Sequence, residues 1–114
     1  MIEIIVRDHL KSLLPFPVYL ERPKVRPDKY AVIENTGGTE SNFILSATIV
    51  IHTYGASMYE AAEMAWGVKH AMDKITEKDN VSACRVQTAP MNWTDTTTKN
   101  YRYRAVYQLN YMED

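Results

Sequence analysis

The sequence has 114 residues, which is enough for one domain with a modest core and too short for two independent cores. Hydrophobic residues make up 46% and charged residues 24%, values typical of soluble globular proteins, which argues against global disorder. The net charge of −1 argues against a dedicated nucleic-acid-binding protein, because phosphate contacts require a basic excess on some face. We therefore predict a single domain spanning residues 1–114.

The cysteine count and the N-terminal segment exclude further classes. Cys84 is the only cysteine of the sequence, so neither an intrachain disulfide nor a cysteine-based zinc site can form. The apolar run at residues 1–6 is interrupted by Glu3 and followed by Arg7 and Asp8, which is too short and too charged for a membrane span or a signal peptide. We expect a soluble protein that stays in the compartment where it is made.

The first third of the chain predicts one helix and two strands. Residues 2–14 carry apolar side chains at helical spacing, and Pro15 ends this helix because proline lacks the N–H that the next turn needs. Residues 18–20 predict a short strand. The polar, proline-punctuated residues 21–29 predict an exposed connection, and residues 30–34 have the composition of a second strand.

A hairpin is predicted in the middle of the chain. Gly37 and Gly38, which follow Asn35 and Thr36, predict a turn, and their sequence lacks the lysine of a phosphate-binding loop. Residues 43–54 alternate between an apolar and a more polar face, as in a half-buried strand of an antiparallel sheet.

The second helix has the clearest start signal. Ser57 and Glu60 form a capping box, in which each side chain satisfies a free backbone N–H. The predicted apolar stripe of this helix consists of Met58, Ala61, Ala62, Ala65, Val68 and Met72.

Two strands are predicted at the C-terminal end. They cover residues 81–87 and 101–111, and residues 89–98 are predicted as a long loop. The element order is then α-β-β-β-α-β-β, which predicts an α+β fold with a mainly antiparallel sheet and both helices packed on one face.

The sequence contains no catalytic, cofactor-binding or metal-binding pattern. No two of His9, His52 and His70 have ligand spacing on one element, and Cys84 falls inside a predicted strand, where a structural thiol is expected. His9 lies in the apolar stripe of the first helix and is predicted to be hydrogen-bonded at a core edge or contact surface. We expect that the protein is not an enzyme and uses no cofactor.

Three features are candidates for binding. Tyr59, Trp66 and His70 lie about a quarter turn from the centre of the stripe on the second helix, as either the edge of the core or an interface anchor. The long loop carries Trp93, which must be tucked in or docked on a partner. Tyrosines alternate with arginines in the last strand, which predicts a tyrosine-lined core face and a solvated arginine face rather than a surface for single-stranded nucleic acid.

Four segments in this order resemble the tail-completion (tail terminator) proteins of long-tailed bacteriophages and prophages. They are residues 18–23, 30–38, 57–62 and 95–103. The resemblance implies an antiparallel sheet flanked by helices. It also implies a homo-oligomeric ring, hexameric in this family, at the head-proximal end of the tail tube, which ends tube polymerisation and provides the surface that joins the head.

The same resemblance implies the partners and the location. The partners would be the tail tube protein and a head-completion or connector protein, with DNA passing through the ring without sequence-specific binding. A ring needs two different surface patches, and the candidates are the flank of the second helix and the loops. These patches comprise Tyr59, Trp66, His70, Gly37, Gly38, Trp93 and Asp95. The protein would be made in the bacterial cytoplasm and reside in the tail or neck of the virion.

Two other functions remain open at the sequence level. One is a head-completion or connector role in the same neck region, and the other is a small-ligand-binding α+β domain whose site is dispersed along the chain.

Overall fold

The computed structural model describes residues 1–41, 43–95, 97 and 100–112. Within these residues, the protein has two α-helices, a short 3-10 helix at Ile75–Glu77 and a five-stranded sheet. The helices are α1 (Ile2–Leu13) and α2 (Met58–Met72), and the strands are β1 (Val18–Tyr19), β2 (Tyr30–Ser41), β3 (Ile44–Tyr54), β4 (Val81–Asn92) and β5 (Arg102–Tyr111). The predicted α+β fold and the order α-β-β-β-α-β-β are confirmed.

The strand order in the sheet is β1-β2-β3-β5-β4, so β3 lies at its centre. β1 pairs with β2 in parallel, and the other pairs are antiparallel. At one end of the sheet Tyr30, Tyr54 and Arg102 lie side by side, and at the other end Leu45 pairs with Tyr111. Nine residues of β3 separate these two ends, which corresponds to about 30 Å of strand.

Both helices cover the same face of the sheet, as predicted. α1 buries Ile2, Val6 and Leu10 against the sheet and against α2. The inward faces of the central strands complete this core with Ala31, Ile33, Ala47, Ile49, Ile51, Ala105, Tyr107, Leu109 and Tyr111. The predicted tyrosine-lined core face is therefore confirmed for the last part of β5, whereas Tyr101 and Tyr103 are only half-buried.

The predicted capping box at the start of α2 is present with one difference. The Glu60 N–H donates to Ser57 Oγ at 3.1 Å, whereas the Glu60 carboxylate accepts from the Ala56 N–H at 2.8 Å, one residue earlier than the motif predicts. The apolar stripe also differs from the prediction: Met58 is exposed, and Met64 and Ala71 belong to the core.

The turn predicted at Gly37 and Gly38 is wrong. β2 continues through both glycines to Ser41, and the chain reverses between Ser41 and Ile44. The glycines serve a β-bulge instead: pairing shifts between Asn35 and Gly37, and Gly37 has a φ of +146°. At Gly38 a Cβ atom would overlap the backbone carbonyl of Ser46, so only glycine fits there.

The long loop predicted at residues 89–98 is also shorter than expected. β4 extends to Asn92 and includes Pro90. Proline is tolerated because β4 is an edge strand and its pairing with β5 is irregular between Thr88 and Met91. Of the remaining predicted loop, Thr96 and Thr98 lie outside the described residues.

His9 connects the two helices. Its side chain is buried, and His9 Nε2 lies 2.7 Å from the carbonyl oxygen of Ala71 at the end of α2. Since a carbonyl only accepts, the proton must be on Nε2. The prediction of a hydrogen-bonded histidine at the core is confirmed.

Replacing His9 with leucine should destabilise the fold by about 0.5–1.5 kcal/mol, because the Ala71 carbonyl loses the His9 donor but still accepts from the Lys74 N–H at 3.1 Å. Urea unfolding of the wild type and the variant measures this difference. A change below about 0.5 kcal/mol would show that the hydrogen bond contributes nothing net.

Candidate interaction surfaces

The outer face of α2 carries a line of exposed side chains. Tyr59 is 78% exposed, Trp66 is 45% exposed and His70 is also exposed. The period of 3.6 residues places all three within about 40° of one another. We call these three residues the α2 stripe. They lie about half a turn from the buried side chains of α2, rather than the predicted quarter turn, because Met64 and Ala71 belong to the buried side. They are therefore not the edge of the core.

The other predicted interface residues are not brought together. Gly38 pairs with Ala47 near one end of the sheet, whereas Trp93 and Asp95 follow β4 at the opposite end. The Trp93 segment instead borders the start of α2, since Asn92 Nδ2 lies 3.5 Å from Met58 Sδ. Trp93 itself lies beneath the guanidinium of Arg104, on the sheet face away from α2.

The outer half of β2 forms a third exposed surface. Residues 34–41 are all exposed, and pairing with β1 reaches only to Val32. One edge of this segment pairs with β3, and its other edge has no strand beside it in the described part of the chain. At the tip, Phe43 is 89% exposed and adopts a φ of +68°, outside the strand in which it was predicted. We call residues 34–41 and 43–48 the hairpin arm.

The sheet face without helices carries a group of arginines on aromatic rings. Tyr30 stacks on Tyr54 at 4.6 Å between ring centres and 11° between planes. The guanidinium carbons of Arg22 and Arg102 lie 5.3 Å and 5.7 Å from the centre of the Tyr54 ring, and that of Arg104 lies 4.4 Å from the centre of another ring, Trp93. We call this group the arginine–aromatic row: Arg22, Tyr30, Tyr54, Trp93, Arg102 and Arg104.

Hydrogen bonds fix the row in place. Arg22 Nε donates to the Tyr30 hydroxyl at 3.4 Å, and this bond raises the pKa of Arg22. Arg102 Nε donates to the Trp93 carbonyl at 3.1 Å, while the Trp93 N–H donates back to the Arg102 carbonyl at 2.8 Å. Arg102 also donates to the Tyr54 hydroxyl at 3.3 Å. The predicted solvated arginine face is therefore wrong: Arg102 and Arg104 are half-buried.

The arginines of the row form no ion pair with the described residues. No carboxylate of the described residues lies within 4 Å of Arg22, Arg102 or Arg104. Arg104 Nε is buried and has no hydrogen-bond partner among these residues. A buried donor without a partner costs about 1–3 kcal/mol, whereas an exposed cation–π contact contributes about 0.5–1 kcal/mol. Folding stability alone does not account for this arrangement.

His52 lies beside the row on β3. His52 Nε2 is 3.5 Å from a carboxylate oxygen of Glu34, and His52 Nδ1 is buried with no partner in the described chain. The pKa of His52 is lowered, chiefly because burial disfavours the imidazolium; Arg102 and Arg104 lower it further, and Glu34 partly opposes them.

The free energy of unfolding should therefore depend on the protonation of His52 when the pH is below 6.5, the ordinary pKa of histidine. The unfolded chain binds the proton at higher pH than the folded chain, so the free energy of unfolding falls as the pH drops from 6.5 toward the folded pKa. We expect the variant His52→Gln to lose less stability than the wild type when urea unfolding is repeated between about pH 7.5 and about pH 5. Identical pH dependence in both proteins would contradict this assignment.

Cys84 and Tyr107 carry groups that act as nucleophiles when they are ionised. Cys84 is half-buried against the core, and burial raises the pKa of its thiol to about 11, which keeps it protonated at neutral pH. Tyr107 is fully buried, its pKa is raised mainly by burial, and its hydroxyl has no partner among the described residues.

Within the described residues, no group of three or more His, Cys, Asp or Glu side chains is placed to hold a metal ion. Likewise, none of the described helices is long and apolar enough to cross a membrane.

Sequence reasoning missed the arginine–aromatic row. The alternation in β3 and β5 places Tyr54 on the same face as His52, and Arg102 on the same face as Arg104. Only the register, which pairs Tyr54 with Arg102, brings the two sets together. No protein-family model matches the chain, and no curated protein matches it significantly.

Proposed function

We propose that the protein is a structural component of a bacteriophage or prophage tail that assembles as a ring at the head-proximal end of the tail tube. The observation that carries this proposal is the α2 stripe. Tyr59, Trp66 and His70 project from the side of α2 that faces away from the core. Trp and Tyr are enriched among the residues that dominate protein–protein binding energy.

A ring also needs a second, different patch on the same chain. The hairpin arm supplies one, because it is exposed, presents Phe43 at its tip and has an outer edge that no strand of the described chain covers. A free strand edge can pair with a strand of another chain through backbone hydrogen bonds. The α2 stripe and the hairpin arm lie on different elements, as a contact between unlike patches requires.

In this proposal the ring ends tube polymerisation and offers its outer surface to the head. The sequence resemblance implies six copies in the ring. It also implies two partners, which are the tail tube protein and a head-completion or connector protein. The net charge of −1 suits a channel through which DNA moves, since a strongly basic channel would retain it.

Electron microscopy of purified tail tubes tests the proposal. Tubes mixed with the protein should carry a ring-shaped cap at one end only. Binding to the portal or connector end of filled heads, with bare tubes left uncapped, would favour a connector role instead.

The third function, small-ligand binding, can be tested at a hollow that His52 lines. This hollow of about 390 Å³ lies beside β2 and is lined in part by Met1, Leu20, Val32 and His52. A strong thermal shift with a small molecule, lost on filling this hollow, would support that function over assembly.

A further inference from the structure

We propose that the arginine–aromatic row is the docking surface for an acidic segment of a partner protein. This inference rests on the proposed assembly function, because it names the chemistry by which one partner other than a second copy would be recognised.

The first step concerns charge. Arg22, Arg102 and Arg104 stand on one face of the sheet, and no described carboxylate lies within 4 Å of any of them. Arg22 is exposed, and the other two are half-buried. The planar guanidinium presents several N–H donors in a fork that matches a carboxylate, and it is more weakly hydrated than an ammonium group. The face is thus suited to anionic oxygens.

The second step distinguishes a protein from a single-stranded nucleic acid. Single-stranded nucleic acids bind largely by stacking bases on free aromatic rings. Here Tyr30 and Tyr54 are buried and stack on each other, and Trp93 lies under the guanidinium of Arg104. Bases would have to displace arginines to reach these rings. The negative net charge of the chain also opposes a nucleic acid, whereas Arg, Tyr and Trp together are typical of protein interfaces.

The third step concerns a second copy as the occupant. Several acidic residues of the described chain are scattered: Glu40 lies on the hairpin arm, Glu63 on α2, and Glu77 and Asp79 near the start of β4. Glu3, Glu21 and Glu34, however, line one hollow beside β2. A second copy is therefore the competing occupant, and sedimentation separates it from an acidic partner.

Binding of a labelled peptide of alternating glutamate and glycine, measured by fluorescence anisotropy at low ionic strength, tests the proposal. The wild type should bind this peptide, and added salt should weaken binding because the contacts are ionic. Arg22→Gln should weaken binding about tenfold, and Arg22→Lys should restore only part of the loss, since lysine keeps the charge without the planar fork.

Arg85→Gln is the matched control, because Arg85 is an exposed arginine of β4 outside the row, and it should bind like the wild type. Thermal unfolding verifies that each variant folds. Arg22 suits the test because it is exposed and its hydrogen bond is to one hydroxyl.

Four results would overturn the inference. They are no binding of the peptide by the wild type, equal binding by Arg22→Gln, tighter binding of labelled oligothymidylate than of the peptide, or self-association in sedimentation that Arg22→Gln abolishes. The capping of tail tubes is measured in a separate experiment. If the protein caps tubes but does not bind the peptide, the proposed acidic partner is wrong and the proposed ring still stands.

Discussion

Replacing Trp66 with alanine is expected to weaken self-assembly by at least about thirtyfold, which corresponds to the loss of a central interface residue. The same change should lower the free energy of unfolding by less than about 1.5 kcal/mol. The reason is that Trp66 is 45% exposed and lies on the side of α2 opposite the buried side chains. A tryptophan of the core would cost about 3–5 kcal/mol on truncation to alanine.

Two measurements on the same samples separate these outcomes. Urea unfolding gives the stability, and the fraction of capped tail tubes gives the assembly. The control is Val25→Ala, which removes another exposed apolar side chain from the connection between β1 and β2 and should leave both quantities unchanged. If Trp66→Ala loses stability as a core variant does, or caps tubes as well as the wild type, the α2 stripe is not an interface.

The second large effect is expected at Gly38. Gly38→Ala places a Cβ atom against the backbone carbonyl of Ser46, which cannot move without breaking the pairing of β2 with β3. We expect a loss of more than about 2 kcal/mol in unfolding free energy. Amide hydrogen exchange should localise the damage to the hairpin arm, with capping of tail tubes reduced in parallel.

Gly67→Ala is the matched control for this change. A Cβ atom at Gly67 would lie 3.7 Å from the Leu14 side chain, which is an ordinary contact. Alanine in the middle of α2 should therefore stabilise the protein by about 0.5–1 kcal/mol through its higher helix propensity. Similar effects of both substitutions would show that the close approach at Gly38 is not decisive.

The parts of the fold that local chemistry determines were predictable. The start of α2 follows from Ser57 and Glu60, whose contacts span three residues. The end of α1 follows from Pro15, and the inward side of β3 follows from strict alternation. A hydrogen-bonded His9 at the core also follows from its place in an apolar stripe, although its partner Ala71 lies 62 residues away and could not be named.

The predictions were wrong where pairing with a strand distant in the sequence determines the local conformation. Two glycines after Asn35 are equally compatible with a hairpin turn and with a bulge, and only the long pairing of β2 with β3 selects the bulge. The predicted strand ended at residue 87, yet β4 continues through Pro90 to Asn92, because it lies at the sheet edge, where the donor that proline lacks is dispensable.

The candidate surfaces were predictable only in part. The α2 stripe follows from helical spacing, although the prediction left Met64 and Ala71 out of the buried side and so shifted the predicted angle. The arginine–aromatic row depends on the register that sets Tyr54 beside Arg102 and on the position of Arg22 in a connection without regular structure. Neither is encoded in a local pattern, so this surface required the structure.

Closure of the growing end of a tail tube can be tested by polymerising purified tail tube protein with and without small amounts of this protein. Electron microscopy then gives the length of the tubes. We expect the added protein to stop growth at one end and to shorten the tubes in proportion to its concentration, and we expect Trp66→Ala to abolish this effect. Tubes that reach the same length with and without the protein would show that the proposed function is wrong.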